Sequence, residues 1–186
     1  MSQTRIRIEG AAALALFIST IPAANWLIGH VGTTCPPGGP CLIPVAPGVM
    51  APSGVLMIGL ALVLRDMVQR RLGLFAGLAA ILIGAALSAW VAPPAIVLAS
   101  AAAFLLSELA DFFVYTPLQR RRFVLAVVAS SIVGLVVDSA VFLHLAFGSL
   151  DFLPGQILGK LWMVLLTIPV VQWIRRRDER LGIALA

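Results

Sequence analysis

Six apolar runs follow one another along this chain of 186 residues. Each is long enough to cross, as a helix, the roughly 30 Å of hydrocarbon in a bilayer. A soluble protein of this length has no interior large enough to bury six such helices. The sequence therefore predicts an all-α integral membrane protein, with residues 1–186 forming one bundle of six transmembrane helices. We expect the helices at residues 10–29, 42–64, 72–91, 95–116, 123–147 and 152–174.

The composition independently excludes a soluble protein. Hydrophobic residues make up 61% and charged residues 11% of the chain, whereas soluble domains average about 45–50% and about 25%. The polar side chains are too few to cover a water-facing surface. The lipid bilayer is therefore an expected partner.

Basic residues mark the ends of alternate runs and orient the predicted helices. Four of the connecting or terminal segments carry 12 of the 13 basic residues, and the other three connections carry none. By the positive-inside rule, both termini then lie in the cytoplasm. The twelve are Arg5, Arg7, Arg65, Arg70, Arg71, Arg120, Arg121, Arg122, Arg175, Arg176, Arg177 and Arg180. Because they cluster at helix ends and form no basic face, we expect no nucleic-acid binding despite the net charge of +5.

A charged start followed by an apolar run also occurs in cleaved signal peptides. The first run is longer than a typical signal-peptide core, and its removal would leave five spans with the termini on opposite sides. We therefore expect an uncleaved first helix.

The first outer loop and the run after it carry unusual residues. Cys35 and Cys41 flank a Pro/Gly turn on the non-cytoplasmic side, where a disulfide is permitted; two unpaired thiols are the alternative. Pro44, Pro47 and Pro52 in the second run predict a broken or re-entrant outer half. Such backbone is tolerated at membrane depth where it is buried in protein or lines a cavity.

Four charged residues lie inside predicted helices and are not needed to orient the helices in the membrane. They are Glu108, Asp111, Asp138 and Lys160. Counting 1.5 Å per residue brings them together around the middle of the bilayer. Intramembrane charges of this kind mark a functional site by default. Lys160 can neutralise Asp138 or Glu108, but not all the negative charge, so a ligand or proton site competes with purely structural ion pairing. Asp111 also lies near enough to the inner end to meet Arg120 or Arg121.

Other polar or aromatic side chains share these helix faces and complete the set of candidate substrate-binding residues. Tyr115 continues the face of Glu108, and Ser131 lies on the same helix face as Asp138. The remaining candidates are Gln156, one turn before Lys160; Trp162, which can stack on a planar ligand or simply pack; and Asn25 in the first helix.

Metal-ligand and nucleophile motifs are missing from the sequence, so we expect no metal, no cofactor and no enzymatic activity. Small residues from Gly73 to Ser88 form a seam on the third predicted helix. Such a seam permits close helix packing, within the subunit or between two copies in a homodimer.

The second half of the chain resembles the queuosine precursor transporter family, which is also known as a vitamin-uptake-transporter family. The resemblance rests on residues 105–170: Ser107-Glu108-Leu109-Ala110-Asp111 through Tyr115, Ala129-Ser130-Ser131 with Gly134, Val137-Asp138-Ser139, Gly155-Gln156 and Lys160. It extends more weakly to residues 51–54 and to Arg65-Asp66 with Gln69.

This resemblance implies a six-helix protein of the bacterial inner membrane that imports 7-cyano-7-deazaguanine or 7-aminomethyl-7-deazaguanine. We expect Glu108 to accept from N1–H and the exocyclic amine of this deazapurine, and Gln156 or Lys160 to donate to its O6. Asp138 would hold Lys160, and an aromatic side chain such as Trp162 or Phe112 would cover the ring. Two alternatives remain: a substrate-binding subunit of an energy-coupled vitamin uptake system, and a structural membrane protein.

Overall fold

The computed structural model describes residues 3–37 and 39–183, so Gly38 of the predicted disulfide loop lies outside the described residues. In that part of the chain, a two-stranded hairpin is inserted between the first two of six α-helices. The helices are α1 (Gln3–His30), α2 (Val55–Leu72), α3 (Leu74–Val91), α4 (Val97–Leu118), α5 (Phe123–Phe147) and α6 (Leu153–Arg180). The strands are β1 (Leu42–Ala46) and β2 (Val49–Pro52), and a 3₁₀ turn, Pro94–Ile96, precedes α4.

The outer surface of the bundle is apolar, whereas its interior is rich in polar side chains. Phe75, Trp90, Leu98 and Phe113 are among the large hydrophobic residues most exposed on the helices. All helices except α2 are long and apolar enough to cross a membrane. The structure therefore confirms a helical membrane protein with several spans, whose exposed hydrophobic surface faces lipid.

Helix α2 is the most central helix of the bundle, and it carries charged residues near its middle. It packs against each of the other five helices. Arg65 and Asp66, near its middle, are 0% exposed. Surrounding helices therefore shield these charges from lipid, which is the arrangement expected of ionisable residues inside a membrane protein.

The predicted helix over residues 42–64 is wrong in its first part, because residues 42–52 form the hairpin. Proline supplies no N–H and Gly48 adopts a φ of +72° in the turn, so this segment favours a hairpin over a helix. The prediction that the second run is broken in its first half is confirmed. Helix α2 begins only at Val55 and runs to Leu72, after which Gly73 (φ +92°) leads directly into α3.

This later start corrects the assignment of three arginines to a connecting loop. Arg65, Arg70 and Arg71 all lie within α2, and all three side chains are buried. Arg65 therefore does not serve as an orienting charge in a loop. Arg65 and its neighbour Asp66 add two charged residues to the four predicted inside the bundle.

The hairpin is fastened to α1 and α6. The Trp162 indole donates to the Val45 carbonyl at 2.9 Å, and the Ser53 hydroxyl donates to the Leu27 carbonyl at 2.8 Å. Cys35 and Cys41 are joined by a disulfide. We call the end of the bundle that carries the hairpin the hairpin end.

An ion-pair network joins α1, α2 and α6 at the opposite end, where α1 begins and α6 ends. Arg70 and Arg71 each bind the Asp178 carboxylate at 2.9 Å. Glu9 forms an ion pair with Arg71 at 3.2 Å and accepts a hydrogen bond from Arg177 at 2.6 Å. We call this the terminal end; the network closes the bundle there.

The small-residue seam on the third helix packs within the subunit. Ala80, Gly84 and Ser88 are buried. A Cβ atom at Gly77 would lie 3.0 Å from Gln69 of α2, which shows how closely α2 and α3 approach. The seam is therefore used inside this chain, and it lends no support to a homodimer.

Candidate functional site

A cavity opens in the half of the bundle nearest the hairpin end. Its wall comes from the last turns of α1, the start of α2, the end of α3, the first turns of α4 and α6, and the later part of α5. Pro52 and Gly54, which connect the hairpin to α2, also line it. The non-helical segment therefore borders a cavity, as the general rule for such backbone in membranes requires.

Six polar side chains project from an otherwise apolar cavity wall. They are Asn25, Ser88, Ser100, Asp138, Gln156 and Lys160. Ile28, Phe104 and Phe142 are among the apolar residues between them. A mostly apolar pocket with a few convergent polar groups is the usual form of a small-molecule site.

Lys160 is the electrostatic centre of this cavity. Its ammonium donates to the Asp138 carboxylate at 2.5 Å, to the Ser139 hydroxyl at 2.7 Å and to the Gln156 amide oxygen at 2.7 Å. The three donors of the ammonium are thus all satisfied, and its charge is balanced by Asp138. The site is electrically neutral before any ligand enters.

Several hydrogen-bonding atoms of the cavity remain available to a ligand. Because the Lys160 ammonium can only donate, Gln156 must present its oxygen to Lys160 and keep its amide N–H₂ free. Asn25 uses its amide nitrogen to donate to the Ile21 carbonyl at 3.0 Å, which leaves its oxygen as an acceptor. Asp138 likewise gives only one of its two oxygens to Lys160. The cavity therefore offers both donors and acceptors.

A second polar site, which we call the acidic cluster, lies deeper on the same helices and is sealed from solvent. It consists of Arg65 and Asp66 on α2 with Glu108 and Asp111 on α4, none more than 2% exposed. The guanidinium binds Glu108 at 3.1 Å through Nε, reaches Asp66 at 3.0 Å through Nη1 and binds Asp111 through Nη2. One cation thus holds three carboxylates.

Neutral side chains extend the acidic cluster. Gln69 accepts from Arg65 at 3.1 Å, and its amide donates to the Thr116 hydroxyl at 3.0 Å. Ser130 of α5 donates to Asp66 at 3.2 Å. The cluster therefore ties α2, α4 and α5 together.

The structure divides the predicted site residues between these two places. Asn25, Asp138, Gln156 and Lys160 line the cavity together. Glu108 and Asp111 belong to the acidic cluster, and the Tyr115 ring lies against Arg65 with 5.7 Å between its centroid and Cζ. Ser131 and Trp162 do not line the cavity either: Ser131 is buried on α5, and the Trp162 indole is bound to the hairpin.

Two predicted pairings of these charges are resolved by the structure. Lys160 pairs with Asp138 rather than Glu108. Asp111 meets Arg65 rather than Arg120 or Arg121. Arg65 was not predicted as the partner of Asp111 because Arg65 was assigned to a loop.

Sequence reasoning also missed Asp66 and Ser100, although a signal for Asp66 was present. Three prolines and two glycines between residues 44 and 54 delay the start of the second helix to residue 55. A helix long enough to cross the membrane from that point places residues 65 and 66 inside it. If the break had been read as a helix boundary, Arg65 and Asp66 would have been placed inside the second helix.

One known protein family is similar to part of this chain. Residues 85–174 match the model of a family described as "Putative vitamin uptake transporter". The match spans just under half of the chain and contains Glu108, Asp111, Asp138, Gln156 and Lys160, while Asn25 and Arg65 lie outside it. No curated protein and no solved structure matched this chain. The similarity supports a transporter that resembles vitamin uptake proteins.

Proposed function

We propose that this chain is a transporter of the bacterial inner membrane that imports queuosine precursors of the 7-deazaguanine class, with both termini in the cytoplasm. The observation that carries the proposal is the neutral cavity, where an amide donor and two kinds of oxygen acceptor surround a space with apolar walls. The family similarity over residues 85–174 supports transport as the activity.

The chemistry of a 7-deazaguanine is complementary to this cavity. N1–H and the exocyclic amine are adjacent donors, and the free oxygens of Asp138 and Asn25 can accept from them. The free amide N–H₂ of Gln156 can donate to O6. Aromatic side chains such as Phe104 and Phe142 offer apolar contact for the ring faces.

This assignment replaces Glu108 with Asp138 as the carboxylate that reads the purine edge. Glu108 is committed to Arg65 at 3.1 Å and does not line the cavity. Trp162 is likewise replaced as a ring-stacking residue, because it is bound to the hairpin.

The test is uptake of labelled deazaguanines by cells that cannot make their own precursor, with and without this chain. We expect uptake only when the chain is present. The Gln156→Ala variant should require about tenfold more substrate for half-maximal uptake, since it loses one hydrogen bond to the ligand. Gln172→Ala, at an exposed position on the same helix, is the matched control and should behave as wild type.

Membrane abundance, measured on the same cells by immunoblot, separates loss of transport from loss of protein. Wild-type protein that is abundant in the membrane and imports neither the cyano nor the aminomethyl compound would contradict the proposal. So would equal uptake by the Gln156→Ala variant at every substrate concentration.

A substrate-binding subunit of an energy-coupled system is the second candidate. Ala11, Ala15 and Ser19 are exposed along one face of α1, where a partner membrane protein can approach closely. Purified protein in liposomes distinguishes the two. Transport by this chain alone supports the first candidate, whereas binding without transport supports the second.

A further inference from the structure

The acidic cluster carries more negative charge than its one cation can neutralise. Asp66, Glu108 and Asp111 carry three negative charges when ionised, and Arg65 supplies one positive charge. All four side chains are at most 2% exposed, so bulk water cannot screen the excess. An uncompensated charge in such a place is neutralised by taking up a proton or binding a cation.

No other charged side chain around the cluster, within the described residues 3–37 and 39–183, offers the missing positive charge. On α2, Arg70 is bound to Asp178 of α6. On α5 and α6, Asp138 and Lys160 neutralise each other. Helices α1 and α3 contribute no charged residue at this level, and on α4 only the neutral Tyr115 phenol follows the two acids. The excess negative charge therefore belongs to the cluster itself.

Unpartnered atoms inside the cluster show where a proton can be held. The carboxyl groups of Asp66 and Asp111 converge on one guanidinium, because Arg65 contacts Asp66 through Nη1 at 3.0 Å and Asp111 through Nη2. Two carboxylates that share one cation repel each other, which favours protonation of one of them. Asp111 Oδ2 is buried and has no hydrogen-bond partner. The buried Tyr115 hydroxyl also has none, although its ring lies against Arg65.

A metal ion does not fit the cluster as a proton does. The Arg65 guanidinium already occupies the position between the three carboxylates, where a shared metal ion would have to lie. Metal ions such as Ca²⁺ need six or more oxygen ligands converging on one point. In the part of the chain that the structure describes, no group of three or more acidic, histidine or cysteine side chains has an arrangement suited to a metal.

The acidic cluster is connected to the cavity by one tightly packed layer. Phe104 lines the cavity, and Glu108 follows it one helical turn later on α4. On α5, Gly134 lies one turn from Asp138 of the cavity; a Cβ atom there would be 2.8 Å from Leu62 and 3.2 Å from the Asp111 Cβ. A shift of these helices on ligand binding therefore reaches the cluster directly.

We propose that the acidic cluster is a proton-binding site, centred on the Asp66–Asp111 carboxyl pair, that couples transport to the proton gradient. The proposal rests on the proposed function for its transported substrate, but not for the proton site itself. One proton enters with each substrate molecule: it is bound by a cluster carboxylate from the outer side and released to the cytoplasmic side when the helices rearrange.

The first experiment needs no substrate. Infrared spectroscopy of the purified protein at neutral pH should show the carbonyl stretch of a protonated carboxylic acid, and this band should be lost or shifted in Asp111→Asn. The exposed Asp151→Asn is the matched control and should keep the band. Asp111→Asn reduces the charge excess, so we expect it to fold; a single symmetric peak in size-exclusion chromatography checks this. Absence of the band in wild type, or a band unchanged in the Asp66, Glu108 and Asp111 amide variants, would overturn the proposal.

The second experiment measures accumulation of a labelled deazaguanine in liposomes with an alkaline interior. A pH difference of one unit should support about tenfold accumulation with one proton per substrate. Asp111→Asn should lose this accumulation while Asp151→Asn retains it. Accumulation that follows a sodium gradient, or full accumulation by Asp111→Asn, would overturn the coupling. If wild type transports no deazaguanine while the infrared band is present, the proposed function fails and the proton site is supported.

Discussion

The cavity and the acidic cluster are both buried polar sites built around one cation, yet they differ in charge balance and in access. In the cavity, Lys160 faces one carboxylate and two neutral oxygens, so the site is neutral and open to a ligand. In the cluster, Arg65 faces three carboxylates and is sealed. The comparison shows that a site with equal positive and negative charge is suited to a neutral ligand. A site with excess negative charge is suited to taking up protons.

The choice of cation follows the same division. The planar guanidinium of Arg65 presents donors along three directions and can hold a separate carboxylate on each nitrogen. The ammonium of Lys160 is a compact charge with three donors, all used within the cavity wall. Exchanging the two cations would therefore disturb both sites.

The largest expected effect is loss of the cation from the acidic cluster. Arg65→Gln leaves three buried carboxylates without a positive charge, so we expect at least the destabilisation of about 3–5 kcal/mol typical of breaking a buried ion pair. Thermal unfolding and the yield of monodisperse protein measure it. Arg175→Gln, which removes an exposed pair with Glu179, is the control and should change little. Equal stability of the two variants would refute the central role of Arg65.

In the cavity, the Asp138–Lys160 pair should show a stability loss that a second substitution reverses. Asp138→Asn leaves Lys160, which is 1% exposed, without its counter-charge, and we expect a loss of about 3–5 kcal/mol. The Asp138→Asn/Lys160→Met double variant removes both charges and should regain most of that stability, but not transport. A double-mutant cycle of unfolding free energies, measured beside uptake, tests this. Full transport by the double variant would show that the pair serves only structure.

The layer between the two sites should be sensitive to one added methyl group. Gly134→Ala forces Leu62 or α4 to move, and we expect a destabilisation of about 1–3 kcal/mol together with slower transport. Gly29→Ala is the matched control, because nothing lies within 4 Å of a Cβ atom at that position. Unfolding midpoints and uptake rates compare the two variants. If they behave alike, the cavity and the cluster are not coupled through this layer.

The smallest effect is expected at the hairpin. Trp162→Phe keeps the aromatic ring but removes the hydrogen bond to Val45, so we expect a loss of about 1 kcal/mol, confined to the hairpin end. Hydrogen exchange of the backbone amides in residues 42–52 should become faster. Trp90→Phe, at a residue that is 84% exposed, is the control and should leave this exchange unchanged. Unchanged exchange in Trp162→Phe would mean that other contacts hold the hairpin.

Much of the helical framework could be predicted from sequence, but the second span could not. The predicted helix over residues 123–147 coincides with α5, and the predictions for α3, α4 and α6 begin within two residues of the observed starts. The apolar residues 42–52 were read as a helix because hydropathy measures only whether a segment is apolar. An apolar segment can equally form a hairpin that packs against neighbouring helices, as this one does against α1 and α6.

The candidate site could be predicted only in part, because the prediction of each site residue depended on the predicted bounds of its helix. Asp138, Gln156 and Lys160 lie on helices whose bounds were predicted well, so their convergence followed from depth and periodicity. Glu108 was expected beside them, yet it turns to Arg65 on α2. The second helix was predicted to end at residue 64, so Arg65 was left outside it and could not be foreseen as the partner of Glu108.

The sequence by itself determined that this is a helical membrane protein with charges that a lipid environment must hide, because apolar length and intramembrane charge are local properties of the chain. Only the tertiary structure decided which charges meet. Pairing depends on how far each helix is shifted along its axis and on which neighbours surround it. For α2, that shift places Arg65 among three carboxylates and separates the acidic cluster from the cavity.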